Sequence, residues 1–327
     1  MVHHLDMRHS KGNLIIKLDM SKAYDKVNWQ FLYSILRKMG FNHRLLQLIK
    51  NPIENCWFTV LVNGGPIGIF KSTQGLRQGD SLSPALFTIA VETLSRGLDH
   101  LFQNHTDMYY PTGSRLKISH LAYADDNIIF TRSNEEALLK LMQFLKKFEE
   151  QSGQSIKTDK SSFVPGKKKK TLLIAHRVKQ LTRFALKSLP ISYLGAPLYK
   201  GNKKKILFEP LIVKIINRIS GWEHNFLSYG ERLQLIKSVL SSMPIFLLQV
   251  LYPPVGIIHK VDQFFAKYFW GTTGDRKKIH WTKWQNICYP NVESRLGVRS
   301  LRDVVAAFSL KLWWRLREVT MGQLHSQ

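Results

Sequence analysis

The chain has 327 residues, enough for two domains with separate cores, and its formal net charge of +25 points to a polyanionic partner such as nucleic acid. Its two cysteines, Cys56 and Cys288, show no metal-ligand spacing and suit a reducing compartment. No run reaches the roughly 18 uninterrupted apolar residues of a membrane span; the best, 243–258, is broken by Pro253-Pro254, and the N-terminus carries no secretory signal pattern, so no membrane role is expected.

Taken in chain order, Leu14 to Leu18 is apolar enough to be a buried strand, with Asp19 at its end. Asn28 caps an amphipathic helix running to Met39 and stopped at Gly40, and a second helix covers 43–54. Asn63-Gly64-Gly65 marks a hairpin. Gly75 to Pro84 is a glycine-punctuated loop, with Ser83 as N-cap and Pro84 opening a helix to about Leu101. That helix has an apolar face at Leu86, Ala90, Leu94 and Leu98. A second hairpin follows, with Tyr123-Ala124-Asp125-Asp126 between the extended stretches 117–122 and 127–131. The box Ser133-x-x-Glu136 opens a helix over 134–151 that stops at Gly153. Residues 166–190 read as a basic, weakly patterned, mobile connector, and 191–200 as a short strand pair. The remainder reads as helices at 204–220, 229–242, 258–270 and 301–317. The expected organisation is an α+β domain over 1–165, a connector with strands over 166–200, and a mostly helical domain over 201–327.

Two adjacent aspartates at a tight turn repel unless a cation neutralises them. A hard divalent ion such as Mg²⁺ suits them, because it takes carboxylate oxygens together with a substrate's phosphates. Asp19 supplies a third carboxylate at a strand end, and Gly75 and Gly79 allow a base or sugar to approach the backbone closely. The simpler reading of Asp125-Asp126 is a polar turn, since Asp is a common turn residue.

Leu18-Asp19-Met20-Ser21-Lys22-Ala23-Tyr24-Asp25, Gly75 to Pro84, and Tyr123 to Asp126 resemble, in this order, motifs A, B and C of a reverse transcriptase, and specifically of plant LINE-type (non-LTR) retrotransposons. Ser152 to Ser161 is similar to motif D, and Tyr193-Leu194-Gly195-Ala196-Pro197-Leu198 to the segment that grips the primer. Gly221-Trp222, Leu227-Ser228, Gly230-Glu231-Arg232 and Lys237 to Leu240 resemble the family's thumb, while Lys278 to Trp281 and Trp284 fit its C-terminal segment.

The resemblance implies an α+β right-hand palm, an antiparallel sheet backed by helices, followed by a helical thumb. It implies RNA-directed DNA polymerase activity with two Mg²⁺ ions (Mn²⁺ as substitute), an RNA template, a DNA primer and dNTPs. On this reading Asp19 and Asp125 bridge the ions and Asp126 supports them. Tyr24 is a steric gate that excludes a 2′-hydroxyl. Gln78 and Gly79 lie against the nascent base pair, Arg77 contacts phosphate or template, and Lys160 is a general acid for the departing pyrophosphate. Tyr193, Leu194 and Gly195 form the primer grip. Bland alternatives stand beside these: Tyr24 as a core aromatic, Lys160 and Lys22 as ordinary surface charges, Arg77 as the partner of a neighbouring acid, and Asp25 and Asp80 as turn or capping carboxylates.

Charge is uneven: residues 1–150 net +4 and residues 151–327 net +21. The second half is thus the expected electrostatic footprint for a phosphate backbone. Interleaved aromatics such as Trp222, Trp270, Trp281, Trp284, Trp313 and Trp314 are candidates for base stacking or for core. The runs Lys167 to Lys170 and Lys203 to Lys205 read as solvated loop, template contact or nuclear import signal, with nucleus or cytoplasm as the expected location. Several positions depart from the family pattern: Ser81 after the motif B aspartate, Lys157 in motif D, and Glu293-Ser294-Arg295-Leu296-Gly297 near the end. Only 18 residues precede Asp19, so the resemblance implies a piece of a longer polyprotein without its fingers, endonuclease and ribonuclease H regions. An inactive retrotransposon remnant, and a polymerase-like RNA-binding or splicing module, therefore stand beside the active enzyme.

Overall fold

β1 (Asn13–Leu18) is buried along nearly its whole length and forms the middle of the first domain. A computed structural model describes residues 2–6, 12–110, 112, 117–166, 171–202, 205–222, 227–271, 279–289 and 296–324. The expectations on Lys167 to Lys170, Lys203, Lys204, Lys278 and Glu293 to Arg295 lie outside those residues. After β1 come β2 (Met20–Ser21), α1 (Trp29–Lys38), α2 (His43–Glu54), β3 (Trp57–Val62), β4 (Gly65–Lys71), α3 (Ser83–Asn104), β5 (His120–Tyr123) and β6 (Asp126–Arg132). Then follow α4 (Glu135–Ser152), β7 (Ser155–Ile156), β8 (Ser162–Pro165), α5 (Thr171–Thr182), β9 (Ala185–Leu186), β10 (Ile191–Tyr193) and β11 (Ala196–Leu198). The last helices are α6 (Glu209–Ser220), α7 (Tyr229–Ser238), α8 (Ile245–Val250), α9 (Val255–Trp270), α10 (Trp284–Ile287) and α11 (Leu301–Leu324). The chain divides into two compact units, 1–194 with 198–200, and 195–197 with 201–327.

In the first unit a five-stranded sheet runs β5-β6-β1-β8-β9. β1 pairs antiparallel with β6 on one side and β8 on the other, and β8 pairs parallel with β9. Side chains alternate across the strand, so Leu14, Ile16 and Leu18 enter the larger core with Leu32, Leu36, Leu86, Leu94, Leu98 and Leu141 of the helices. Ile15 enters a smaller cluster on the opposite face with Ile128, Phe130, Val164 and Ile191. This is the α+β architecture expected.

Local signals held at several points. Asn28 Oδ1 accepts from the N–H groups of Gln30 and Phe31 and caps α1. Asn63 and Gly64, both at positive φ, turn β3 into β4. Gly153 closes α4 in the left-handed conformation.

Others did not hold. α3 begins at Ser83, and its hydroxyl donates back to Asp80 at 3.0 Å instead of capping; the cap position is Leu82, without a side-chain bond. α4 begins after Asn134, with no side-chain cap. Ser133, the expected capping residue, stands one position before that cap, and its N–H donates to the Gly12 carbonyl at 3.2 Å. Residues 171–186, expected within a basic connector, form α5 and β9. Ala175, Val178 and Phe184 are buried in the main core, an apolar helical face obscured in the sequence by the surrounding positive charge.

The second unit is helical. A capping box joins Ser228 and Glu231 at the start of α7. Arg232 is 6% exposed and donates to the Phe269 carbonyl near the end of α9, where the helix dipole favours a cation. The expected helix at 229–242 is α7 followed by a 3₁₀ turn over Leu240–Ser242, and α8 and α10 are additional. One stretch qualifies the membrane expectation: Tyr229–Val250 is long and apolar enough to cross a membrane, by length and composition only, with a mean hydropathy of 1.5 over its most apolar 18 residues. It carries Glu231, Arg232 and Lys237 and is interrupted between α7 and α8.

Candidate active site

The candidate carboxylates gather at one end of the five-stranded sheet. Leu18 lies opposite Asn127, so Asp19 leaves β1 where Asp126 enters β6. Alternation puts Asp19 on the face of Ile15 and Lys17, away from the helix-covered core. Its backbone is held from both sides: the N–H donates to Ser161 Oγ at 3.1 Å, and the carbonyl accepts from the Lys157 N–H at 2.8 Å. Ser161 is fully buried, which fixes that anchor.

Asp125 is exposed and shares a two-residue turn with Ala124, between the paired residues Tyr123 and Asp126. Ala124 has φ 51°, a conformation unfavourable for a residue with a Cβ. Both carboxylates were expected in the turn; in the structure Asp126 is the first strand residue of β6. Its carboxylate is 3.7 Å from Lys17 Nζ, and Lys17 also donates to the Ser192 carbonyl at 3.1 Å. Tyr193 Oη donates to the Asp126 carbonyl at 3.5 Å. Burial, and then the charge of Asp126, push the Tyr193 phenol up, which keeps it a proton donor. The next two residues, Leu194 (φ 49°) and Gly195 (φ 76°), form the turn between β10 and β11. Tyr193 therefore stands beside the acidic turn.

The residues that sequence reading missed here are Lys17, Ser161 and Ser192. Lys17 had a signal: a lone lysine within an apolar strand, two residues before Asp19 and so on its face.

The donor set suits a hard cation in kind, since Mg²⁺ is bound through one or two carboxylates, water and substrate phosphates more often than in an all-protein cage. A ready three-carboxylate cage is absent, however. Among the described residues no three His, Cys, Asp or Glu side chains lie close enough to hold one ion. Like charges repel without a cation between them, and Lys17 takes up part of the charge of Asp126. The expected triad is thus brought to one sheet end but not closed.

A second wall is built from the loop after β2 and the loop before α3. The Gly75 N–H donates to Val27 O at 2.9 Å and the Leu76 N–H to Tyr24 O at 2.8 Å, while Trp29 Nε1 donates to Gly75 O at 2.7 Å. Gly75 sits at φ +88°, and a Cβ there would lie 2.4 Å from the Asp25 carbonyl oxygen. Only glycine permits that approach. Tyr24 stacks on Phe87 of α3 with ring centroids 4.1 Å apart, so its ring is backed by the core yet remains half-buried. Gln78 is exposed and reaches Asp25 Oδ1 at 3.5 Å, and Gly79 has open space around it. Arg77 turns aside, donating to the Pro52 carbonyl at 3.3 Å. A cavity of about 420 Å³ opens here, lined by Asp25, Arg77 and Gln78 and, from the β3–β4 hairpin, by Phe58 and Phe70. Lys160 is exposed in the turn between Lys157 and Ser161 that anchors Asp19, where its N–H donates to the Lys157 carbonyl at 3.2 Å.

A family model described as reverse transcriptase (RNA-dependent DNA polymerase) matches residues 2–198. The chain belongs to the reverse transcriptase family. It is 36% identical over 120 residues to a protein of Arabidopsis thaliana named as a ribonuclease H protein, a match covering 37% of this chain and 19% of that one. Over 129 residues it is 28% identical to the Pol polyprotein from the type-1 retrotransposable element R2 of Popillia japonica, covering 39% and 20%. An uncharacterized 149 kDa protein of transposon TX1 from Xenopus laevis aligns at 24% identity over 316 residues, 94% of this chain and 23% of that protein. The chain therefore spans only 19% to 23% of the length of these relatives. Among solved structures, telomerase from Candida albicans in complex with a fragment of telomeric RNA aligns at 12% identity over 81% of this chain and 46% of that one, with a TM-score of 0.43. That likeness is too slight to argue from.

Proposed function

We propose that this reverse transcriptase chain supplies the catalytic palm of an RNA-directed DNA polymerase from a non-LTR retrotransposon, adding dNTPs to a primer 3′-hydroxyl on an RNA template. The observation that carries the reading is the β1–β6 register, which sets Asp19 beside Asp126 and the turn bearing Asp125. Asp19 and Asp125 would hold Mg²⁺, with Asp126 in support. Bound there, the ions supply charge neutralisation at the attacking and leaving oxygens of an in-line displacement.

The protein's own residues orient and select. Tyr24, backed by Phe87, presents a ring that can bear on the sugar of the incoming nucleotide and exclude a 2′-hydroxyl. Gln78 and Gly79 leave the backbone open to a base pair, and Arg77 stands at the rim of the same cavity. Tyr193 and Lys17 brace Asp126, and the Tyr193-Leu194-Gly195 turn would hold the primer end. Lys160, exposed in the turn before Ser161, would give a proton to departing pyrophosphate.

A second reading, a nucleic-acid-binding remnant without chemistry, draws on the pairing of Asp126 with Lys17 and the unclosed triad. Primer extension on poly(rA) with oligo(dT), dTTP and Mg²⁺ separates the two. Incorporation by the parent chain that disappears in an Asp125→Asn/Asp126→Asn variant is the expected result. Template–primer binding by the parent without incorporation would establish the remnant.

A further inference from the structure

A second cluster of polar side chains lies where α3 passes beside β5. Ser95 Oγ is 2.5 Å from His120 Nε2, and Ser119 Oγ is 2.8 Å from His120 Nδ1. Ser119 donates to Asp99 Oδ1 at 2.8 Å, and the same oxygen is 3.6 Å from His120 Nδ1. Counting protons gives these contacts a direction. A carboxylate only accepts, so the single Ser119 hydroxyl proton goes to Asp99. The Ser119 oxygen then meets Nδ1 as an acceptor, which assigns the ring proton to Nδ1. Nε2 is left bare and receives the Ser95 hydroxyl proton. The charged groups facing the ring are Asp99 and Glu92 of α3, and Lys117 lines the same cavity. Burial outweighs the two acids and pulls the imidazole below its ordinary range, in keeping with a neutral ring.

The position of this cluster matters because β5 is the edge of the sheet, bonded only to β6. Leu121 and Tyr123 are 46% and 65% exposed, whereas the His120 side chain is 6% exposed. Beyond His120 the strand does not pack on α3. A cavity of about 450 Å³ separates them, lined by Phe87, Thr88 and Val91 on one side and by Leu121, Ala122 and Ala124 on the other. Among the described residues, His120 is the one side chain of β5 with a hydrogen bond to α3. We propose that His120 is a positioning residue: it pins β5 to α3 through Ser95 and Asp99, and through the strand it sets the place of the turn that carries Asp125. The catalytic consequence rests on reading Asp125 as a reacting-site carboxylate; the pin itself does not.

The test uses the full chain and three substitutions. Ser95→Ala removes the donor and suits the helix, since alanine is its best former. His120→Gln keeps an amide oxygen within reach of Ser95, whereas His120→Asn keeps only the Ser119 side. Amide hydrogen exchange over 120–126 is expected to quicken about tenfold in Ser95→Ala and His120→Asn, the scale of one lost hydrogen bond, with 13–18 unchanged and His120→Gln near the parent. In single-nucleotide extension on primed poly(rA), the same two variants are expected to lose kcat at unchanged KM for dTTP. Unchanged exchange in folded Ser95→Ala and His120→Asn would overturn the pin. Quickened exchange with unaltered kcat would overturn its role in the reaction. If the parent chain incorporates nothing, the polymerase reading and the positioning role both fail, and the exchange result still decides whether the pin exists.

Discussion

Two glycines in the loop before α3 have nearly the same backbone and very different surroundings. Gly75 and Gly79 sit at φ +88° and +90°, but a Cβ at Gly75 would meet the Asp25 carbonyl while one at Gly79 meets nothing within 4 Å. Alanine at Gly79 should therefore cost only the backbone strain, roughly 1–2 kcal/mol. At Gly75 the steric conflict adds roughly 1–3 kcal/mol more and separates the Tyr24 loop from its partner. Thermal melts of the two variants should differ by several degrees, with Gly75→Ala the lower; equal melting temperatures would show that the loop yields freely. The sequence revealed both glycines as permissive positions but not their difference, which depends on Asp25, fifty residues earlier in the chain. Lys17 escaped notice for a similar reason: its meaning comes from Asp126 and Ser192, which reach it only through folding.

At the scale of elements, legibility followed locality. Signals satisfied within a few residues held: the Asn28 cap, the Asn63-Gly64 turn and the apolar face of α3. Ser228–Glu231 forms its capping box, whereas at α4 the cap position falls on Asn134, one residue past the expected Ser133. α5 was obscured by charge. α9 carries a further consequence in Asp262, whose carboxyl burial pushes up to about 6, against a Trp284 hydrogen bond and the charges of His259 and Arg302. A folded-state pKa above the unfolded value of about 3.9 means that the folded state binds the extra proton. Its stabilising contribution is full below about pH 4 and is lost as pH rises through about 6. Asp262→Asn should thus raise the denaturation midpoint of the second unit at pH 7.5 and leave it nearly unchanged at pH 4. A variant less stable at both pH values would show that the carboxylate is favourably paired.

For the whole molecule, charge is the dominant quantity. The half from 151 to 327 carries +21 of the net +25, and binding to a phosphate backbone releases counterions in proportion to the contacts made. Affinity for single-stranded RNA should fall steeply between 50 and 200 mM salt, by roughly 300-fold if six phosphates are engaged. A flat salt response would remove nucleic acid as the partner of this surface. The family was legible because its motifs are short and ordered along the chain. The geometry of the site was not, because β1 receives its neighbours from residues 126–132 and 162–165. The same arrangement bears on how the chain reaches its working form. Contacts between segments so far apart in sequence close late and slowly, so Asp19 can meet Asp126 only after the helices between them have formed or been bypassed. Competence at this site is then a late event of folding, and slow-folding variants should gather as inactive chains whose helices are already present.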